Sequence, residues 1–203
     1  MPVTERTRSR QKSFSMLSVI LVTIGLLVCH PPSALAKDIS ISVYGGWLTS
    51  NDWVEVFAPM RWDFVDSQMM ALAVSRQAGW LSETARTEVE GQIVRHVGIQ
   101  DHWEFNVLGV IRRTALPWDA LLDMSVAGGL GLSYATEPPK AEIDFEGETE
   151  RLLAYWMLEL DAAVPRTKAL SVLARLHHRS SAYGLFGDAG GVNVLALGIR
   201  YRF

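Results

Sequence analysis

The stretch that decides the fold is the last one, Val192-Asn193-Val194-Leu195-Ala196-Leu197-Gly198-Ile199-Arg200-Tyr201-Arg202-Phe203. Asn193, Leu195, Leu197, Ile199, Tyr201 and Phe203 occupy one set of alternate positions, and Arg200 and Arg202 close the other. In a β-strand successive side chains point to opposite faces, so this is a strand with one apolar and one polar side. The same alternation runs through Leu152–Val164, where Leu152, Ala154, Trp156, Leu158, Leu160, Ala162 and Val164 oppose Tyr155, Glu159 and Asp161. It returns in 39–47, 84–97, 102–112, 121–135 and 169–180. Met69–Ser75 is apolar on both faces and completes a set of eight predicted strands. The segments between them carry turn and loop residues: 49–67, 76–80, 98–101, 114–120, 137–148, 165–168 and 181–191.

Strands of ten residues and more are long for a globular sandwich and suit a tilted crossing of a bilayer. A soluble eight-stranded barrel of the lipocalin type would put the apolar residues inside and the charges in water. Three features favour the membrane arrangement. The polar faces carry both signs (Glu88, Glu90, Glu104, Arg112, Asp123, Glu159, Asp161, Arg175, Arg179, Arg200, Arg202), so they can pair within a narrow lumen. Aromatics (Trp47, Trp103, Tyr134, Tyr201, Phe203) sit near strand ends on the apolar face, as interfacial girdles require. The chain ends on Phe203 behind alternate apolar residues, which is similar to the C-terminal signature of bacterial outer-membrane barrels. The predicted fold is therefore all-β, an eight-stranded antiparallel transmembrane β-barrel of the bacterial outer membrane. Closure leaves no strand edge and satisfies every backbone group in lipid. At eight strands the interior is filled by side chains, which disfavours a pore.

Residues 1–36 read as a cleaved signal peptide, and 37–203 as the barrel. Arg6, Arg8, Arg10 and Lys12 precede an uncharged, mostly apolar run from Met16 to Cys29, and Ala34-Leu35-Ala36 supplies a small-x-small cleavage site. A lipoprotein signal acylated at Cys29 is the weaker reading, because Val28 stands where a small residue is expected. The whole chain has 203 residues, a formal charge of −3, 49% hydrophobic residues and one Cys. Loss of the leader removes four basic residues, one acidic residue and that Cys, moving the charge to −6. Such a chain has no disulfide framework and no clustered-Cys zinc site. Its acidic balance argues against nucleic acid as a partner.

One strand breaks its own pattern. On 169–180 the apolar face reads Leu170, Val172, Ala174 and Leu176, then His178 and Ser180. Asn193 heads the apolar row of the next strand. With the N-terminus in the periplasm, all three fall at the outer end of adjacent strands, on the outside of the barrel. That is the level of the lipopolysaccharide headgroup and ester bonds. Serine becomes a nucleophile when a base takes its proton, and His is the usual base; i, i+2 spacing puts the two on one face. The bland alternative is hydrogen bonding of a His and a Ser to lipid headgroups.

Around these residues, Leu176-His177-His178-Arg179-Ser180-Ser181-Ala182-Tyr183-Gly184-Leu185-Phe186-Gly187 resembles the outer-membrane lipid A 3-O-deacylase (PagL) family, which carries an H-x-S-N-A-type motif on its penultimate strand. The resemblance implies a carboxylic ester hydrolase that removes the ester-linked 3-hydroxyacyl chain of lipid A without metal or cofactor. Its partners would be lipopolysaccharide and outer-membrane lipid, and a homodimer is compatible with the sequence. By position, Ser180 is the implied nucleophile and His178 the base. The family's acidic third member falls on Asn193, with Asp188 as a candidate replacement, and the Asn after the family's serine is Ser181 here. Ser181 and Ala182 are the expected oxyanion support. The competing reading is a non-catalytic small outer-membrane barrel with an envelope-structural or adhesion role.

The remaining candidates have structural readings. His177 points inward beside Arg175 and Arg179. His96 and His102 flank one turn without convincing carboxylate or Cys partners at ligand spacing, so surface polarity is preferred over a metal site. Arg95 falls on the apolar face near a strand end, within reach of a lipid phosphate if that end is the outer one. Gly128–Gly131 relieves crowding at a barrel bend, and the acidic segment Glu137–Glu148 reads as a solvated loop.

Overall fold

A computed structural model describes residues 38–203 apart from 53 and 118–121; the leader expected at 1–36 lies outside the described residues. Eight antiparallel strands close on themselves: β1 (Ile39–Thr49), β2 (Phe64–Ser82), β3 (Ala85–Gly98), β4 (His102–Arg113), β5 (Met124–Ala135), β6 (Leu152–Val164), β7 (Thr167–Ser180) and β8 (Gly191–Arg202). Each strand pairs with the next, and β8 pairs back onto β1 from Ser40↔Arg202 to Thr49↔Asn193. The ladder has no free edge.

The faces are inverted relative to a soluble barrel. Val89, Ile93, Phe105, Val107, Ile111, Leu132, Leu158, Leu160, Val172 and Leu197 are exposed on the outside. Glu88, Glu90, Glu104, Arg112, Glu159, Asp161, Arg175 and Arg200 are buried inside. An apolar exterior around a charged interior suits hydrocarbon and would be unfavourable in water, which removes the lipocalin-type alternative. The fold is that of an outer-membrane barrel. Among the described residues no helix is long and apolar enough to cross a membrane.

Ion pairs fill the lumen. Glu159 accepts from three guanidinium groups: Arg112 Nη2 at 2.8 Å, Arg175 Nη2 at 2.5 Å and Arg200 Nη1 at 2.5 Å. Arg175 also donates to Glu90 Oε1 at 2.6 Å and to the Tyr44 hydroxyl at 3.0 Å. Burying charges is tolerated here because each has several opposite partners and hydrogen bonds. Tyr44, Leu48, Met69, Ala71, Ala73, Val94, Leu173, Val194 and Ala196 form an apolar cluster beside this network. That cluster explains why 69–75 is apolar on both faces: one face meets lipid and the other packs inside the barrel.

The structure departs from the sequence expectations at several connections. β2 runs for 19 residues, so 76–80 is strand rather than turn, with register irregularities at Gln77/Gly79 and Trp80/Ser82. The connection to β3 is only Glu83-Thr84, because β2 and β3 continue pairing as a long hairpin. At 165–168 the turn shrinks to Pro165-Arg166, Arg166 taking a left-handed φ of 76°. Within the supposed solvated loop, Lys140–Glu146 forms a short helix, α1, whose Ala141 and Glu142 are fully buried. Glu142 lies 3.0 Å from Arg179 Nη1, and Arg179 also donates to the Glu150 and Arg151 carbonyls. Burial raises the pKa of Glu142 against the opposing charge of Arg179. Of the Gly128–Gly131 reading the crowding is seen at Gly131, where a Cβ would run into the Val107 carbonyl of the neighbouring strand, while the register with β4 and β6 runs unbroken through 128–131.

Candidate active site

The β7–β8 connection is where the outward faces stop being apolar. His178 pairs across the ladder with Trp156 on β6 and Asn193 on β8, while Ser180 lies between Ala154 and Gly191. The outward row of β7 therefore ends in a basic ring and then a hydroxyl flanked by the two smallest side chains available. These small neighbours leave the serine open from both sides. Ser180 is partly exposed, whereas His178 (8% exposed) and Asn193 (4%) are covered.

The imidazole is fixed from two directions. The Trp156 ring lies against it at 4.6 Å between centroids, and Asn193 Oδ1 is 2.7 Å from Nδ1. The amide of Asn193 is itself oriented, since Nδ2 donates to the Asn51 carbonyl at 2.9 Å. Oδ1 therefore faces the imidazole, Nδ1 carries the proton and Nε2 keeps its lone pair. Position 193 must accept from an imidazole and donate to a carbonyl at once. An amide does both. A carboxylate there would point an oxygen at the Asn51 carbonyl.

Asn51 carries this constraint into the β1–β2 loop. Its Oδ1 accepts from the Asp63 N–H at 2.8 Å and its Nδ2 donates to the Arg61 carbonyl at 3.0 Å. That loop holds two 3₁₀ turns, Glu55–Phe57 and Pro59–Arg61.

After Ser181 the chain takes three consecutive left-handed residues, Ala182 (φ 52°), Tyr183 (φ 57°) and Gly184 (φ 89°). The non-glycine pair costs on the order of 1 kcal/mol each. The turn is held by Ser181 N–H to the Gly190 carbonyl at 3.1 Å and Phe186 N–H to the Ser181 carbonyl at 3.0 Å. One result is that the Ala182 N–H donates to Ser180 Oγ at 3.1 Å. The Ser181 N–H is occupied by Gly190, which leaves the Ser181 hydroxyl for any contact to a ligand.

His178, Ser180, Ser181, Ala182, Asp188 and Asn193 all line one cleft of about 560 Å³. Trp156, Leu130 and Phe145 give it apolar walls. Asp188 stands exposed in the loop wall, and the imidazole hydrogen bond is accepted by Asn193 Oδ1. Trp156 and Asn51 were not among the expected site residues. Trp156 could have been found by extending the outward row of β6 across to His178. Nothing local marks Asn51, whose contact joins residues 142 positions apart.

The other expected positions fall elsewhere. Arg95 lies among the last residues of β3, at the same end of the barrel, ion-paired with Asp101 and 5.5 Å over the Trp103 ring. His96 and His102 are a correction. Both are buried in the lumen rather than on the surface, facing each other across β3 and β4, with Glu104 beside them.

The barrel resembles that of a solved enzyme. The crystal structure of the outer membrane enzyme PagL matches with a TM-score of 0.54 at 13% identity, over 81% of this chain and 99% of that one. Neisserial surface protein A (NspA) matches with a TM-score of 0.48 at 8% identity, over 82% and 98%. No protein-family model matches the chain, and no curated protein matches it in sequence. At 13% identity the likeness to PagL shows the shared barrel fold alone.

Proposed function

We propose that this protein is an exported outer-membrane ester hydrolase that removes an ester-linked 3-hydroxyacyl chain from lipid A. The observation that carries this reading is the 2.7 Å hydrogen bond from His178 to Asn193 on the barrel exterior, with Ser180 two residues further along the same face. Orientation follows from the loops. At one end the connections 83–84 and 165–166 have two residues each and 114–123 has ten, whereas the site end carries 50–63, 136–151 and 181–190 beside the short 99–101. Short turns face the periplasm and long loops the exterior in outer-membrane barrels, which supports a cleft at the outer leaflet. The resemblance of 176–187 to the lipid A deacylases supplies the substrate class. The shared fold with PagL, itself an outer membrane enzyme, is consistent with it.

The chemistry follows from the tautomer. Nε2 of His178 takes the Ser180 hydroxyl proton as Oγ bonds to the ester carbonyl carbon, and the carbonyl oxygen becomes an oxyanion. The Ala182 N–H, now on Oγ, and the Ser181 hydroxyl would be its donors. Collapse breaks the bond to the sugar oxygen, which takes the proton back from Nε2. Water, deprotonated by the same nitrogen, then releases the fatty acid and restores Ser180. Asn193 holds the ring in place but offers no charge to the transient imidazolium.

Two results are expected. Mass spectrometry of lipid A from cells expressing the protein shows loss of one hydroxyacyl chain relative to cells without it. An unchanged lipid A pattern with the barrel folded in the outer membrane favours the non-catalytic reading. Asn193→Ala lowers kcat on the order of 10²-fold with KM little changed, because misaiming the base by about 1 Å costs that much. Steady-state kinetics on a chromogenic ester in detergent check the split.

A further inference from the structure

The outer end of the lumen holds a second cluster, independent of the esterase reading. His96 and His102 stack at 4.5 Å between centroids with 12° between their planes, and Glu104 Oε2 lies 2.8 Å from His96 Nε2. One donor atom from each of these three buried residues falls within 4.8 Å of the other two. Among the described residues, His102 Nε2 has no hydrogen-bond partner although the residue is only 4% exposed. Gln100 Oε1 is likewise buried and without a hydrogen bond, while its amide nitrogen is 3.1 Å from His96 Nδ1. An unmet polar atom in a protein interior costs roughly 1–3 kcal/mol, and two in one cluster need a common cause.

We infer that His96, His102 and Glu104 form a binding site for one divalent transition-metal ion of the zinc class inside the barrel. A single ion accounts for both unmet atoms. It takes the lone pair of His102 Nε2 directly. It also takes Nε2 of His96, whose proton moves to Nδ1, and rotation of the Gln100 amide then turns Oε1 onto that N–H. Glu104 supplies the third ligand through Oε2. Its other oxygen is already held by His177 Nε2 at 3.0 Å, and His177 Nδ1 lies 3.1 Å from the Tyr155 hydroxyl. This is the outer shell that metal-ligating side chains require. Two imidazoles and one carboxylate suit zinc and its neighbours, whereas calcium and magnesium take mostly oxygen ligands. Ligand atoms on a zinc ion lie about 3.3 Å apart, given bonds near 2.1 Å and tetrahedral angles, so loading draws the three together. The ion would pin the outer ends of β3 and β4 to each other and, through His177, to β7, whose next residue is His178.

The test uses folded, chelator-stripped protein titrated with Zn²⁺ by calorimetry and with Co²⁺ by visible absorption. One ion per barrel is expected, with the d–d bands of low-coordinate cobalt. His102→Phe removes an unpartnered nitrogen, so the barrel is expected to fold while affinity falls about 100-fold or more; His102→Gln serves if the larger ring is not accommodated. Gln100→Leu weakens binding by roughly 10–100-fold, the scale of an outer-shell loss. Zinc raises the unfolding temperature of wild type and leaves that of the position-102 variant unchanged. Wild type that takes up no saturating ion, or that binds as tightly as the folded position-102 variant, overturns the assignment.

Discussion

Ser180→Ala is expected to abolish turnover on lipid A, by a factor on the order of 10⁶, the scale on which a serine hydrolase depends on its nucleophile. The same change is expected to leave the barrel folded. Among the described residues the Ser180 side chain has one hydrogen bond, accepted from the Ala182 N–H, and its cross-strand neighbours are Ala154 and Gly191. Losing such a bond costs about 1 kcal/mol, a small part of a barrel's stability. Loss of the hydroxyl at a partly exposed site leaves no buried cavity. Rate and fold therefore separate in this variant, and lipid A profiling alongside an unfolding curve reads both. A Ser180→Ala protein that still deacylates would place the nucleophile elsewhere.

Glu159→Gln is expected to be the most damaging conservative change to stability. Three arginines, Arg112, Arg175 and Arg200, converge on that carboxylate, all of them buried. The remaining acids already have partners: Glu88 at Arg112, Glu90 at Arg175, Asp161 at Arg200. A neutral amide keeps the volume but presents an NH₂ to guanidinium donors, and because Arg86 and Arg202 also draw on Glu88 and Asp161, the three remaining acids then face five arginines. Removing one partner of a buried pair costs roughly 3–5 kcal/mol. Urea unfolding of the detergent-solubilised barrel measures it through the midpoint. The exposed Lys140–Asp144 pair on α1 is the matched control, since breaking a solvated pair shifts stability by no more than about 1 kcal/mol.

Much of this fold was written in a period of two. Where one face meets lipid and the other meets charge, as at 102–106 in β4 and 158–161 in β6, alternation alone places the side chains. It failed at β2, because Met69, Ala71 and Ala73 pack against Tyr44 and Leu173 inside the barrel, and a two-sided apolar strand carries no alternation to read. α1 was hidden for a different reason. Seven residues behind Pro138-Pro139 give no helical period, and it is Arg179, far along the chain, that draws Glu142 inward.

The same logic governs the candidate site. His178, Ser180 and Asn193 were legible as polar interruptions of apolar rows, since strand pairing puts outward residues of β7 and β8 side by side. The choice between Asn193 and Asp188 was not, because it depends on Asn193 being the register partner of His178 and on the loop carbonyl of Asn51. His96 and His102 were misread as surface groups. Their inward placement follows once the hairpin register opposes them, with Glu104 on the same inward row as His102.

The central claim is that His178 makes Ser180 nucleophilic on the lipid-facing side of the barrel. Its most direct test is to treat the folded protein, in lipid or detergent micelles, with a long-chain fluorophosphonate and map the adduct by mass spectrometry. A single adduct on the peptide containing Ser180, lost in His178→Ala, is the predicted result. A folded barrel that stays unlabelled, or that is labelled equally well without His178, would contradict it.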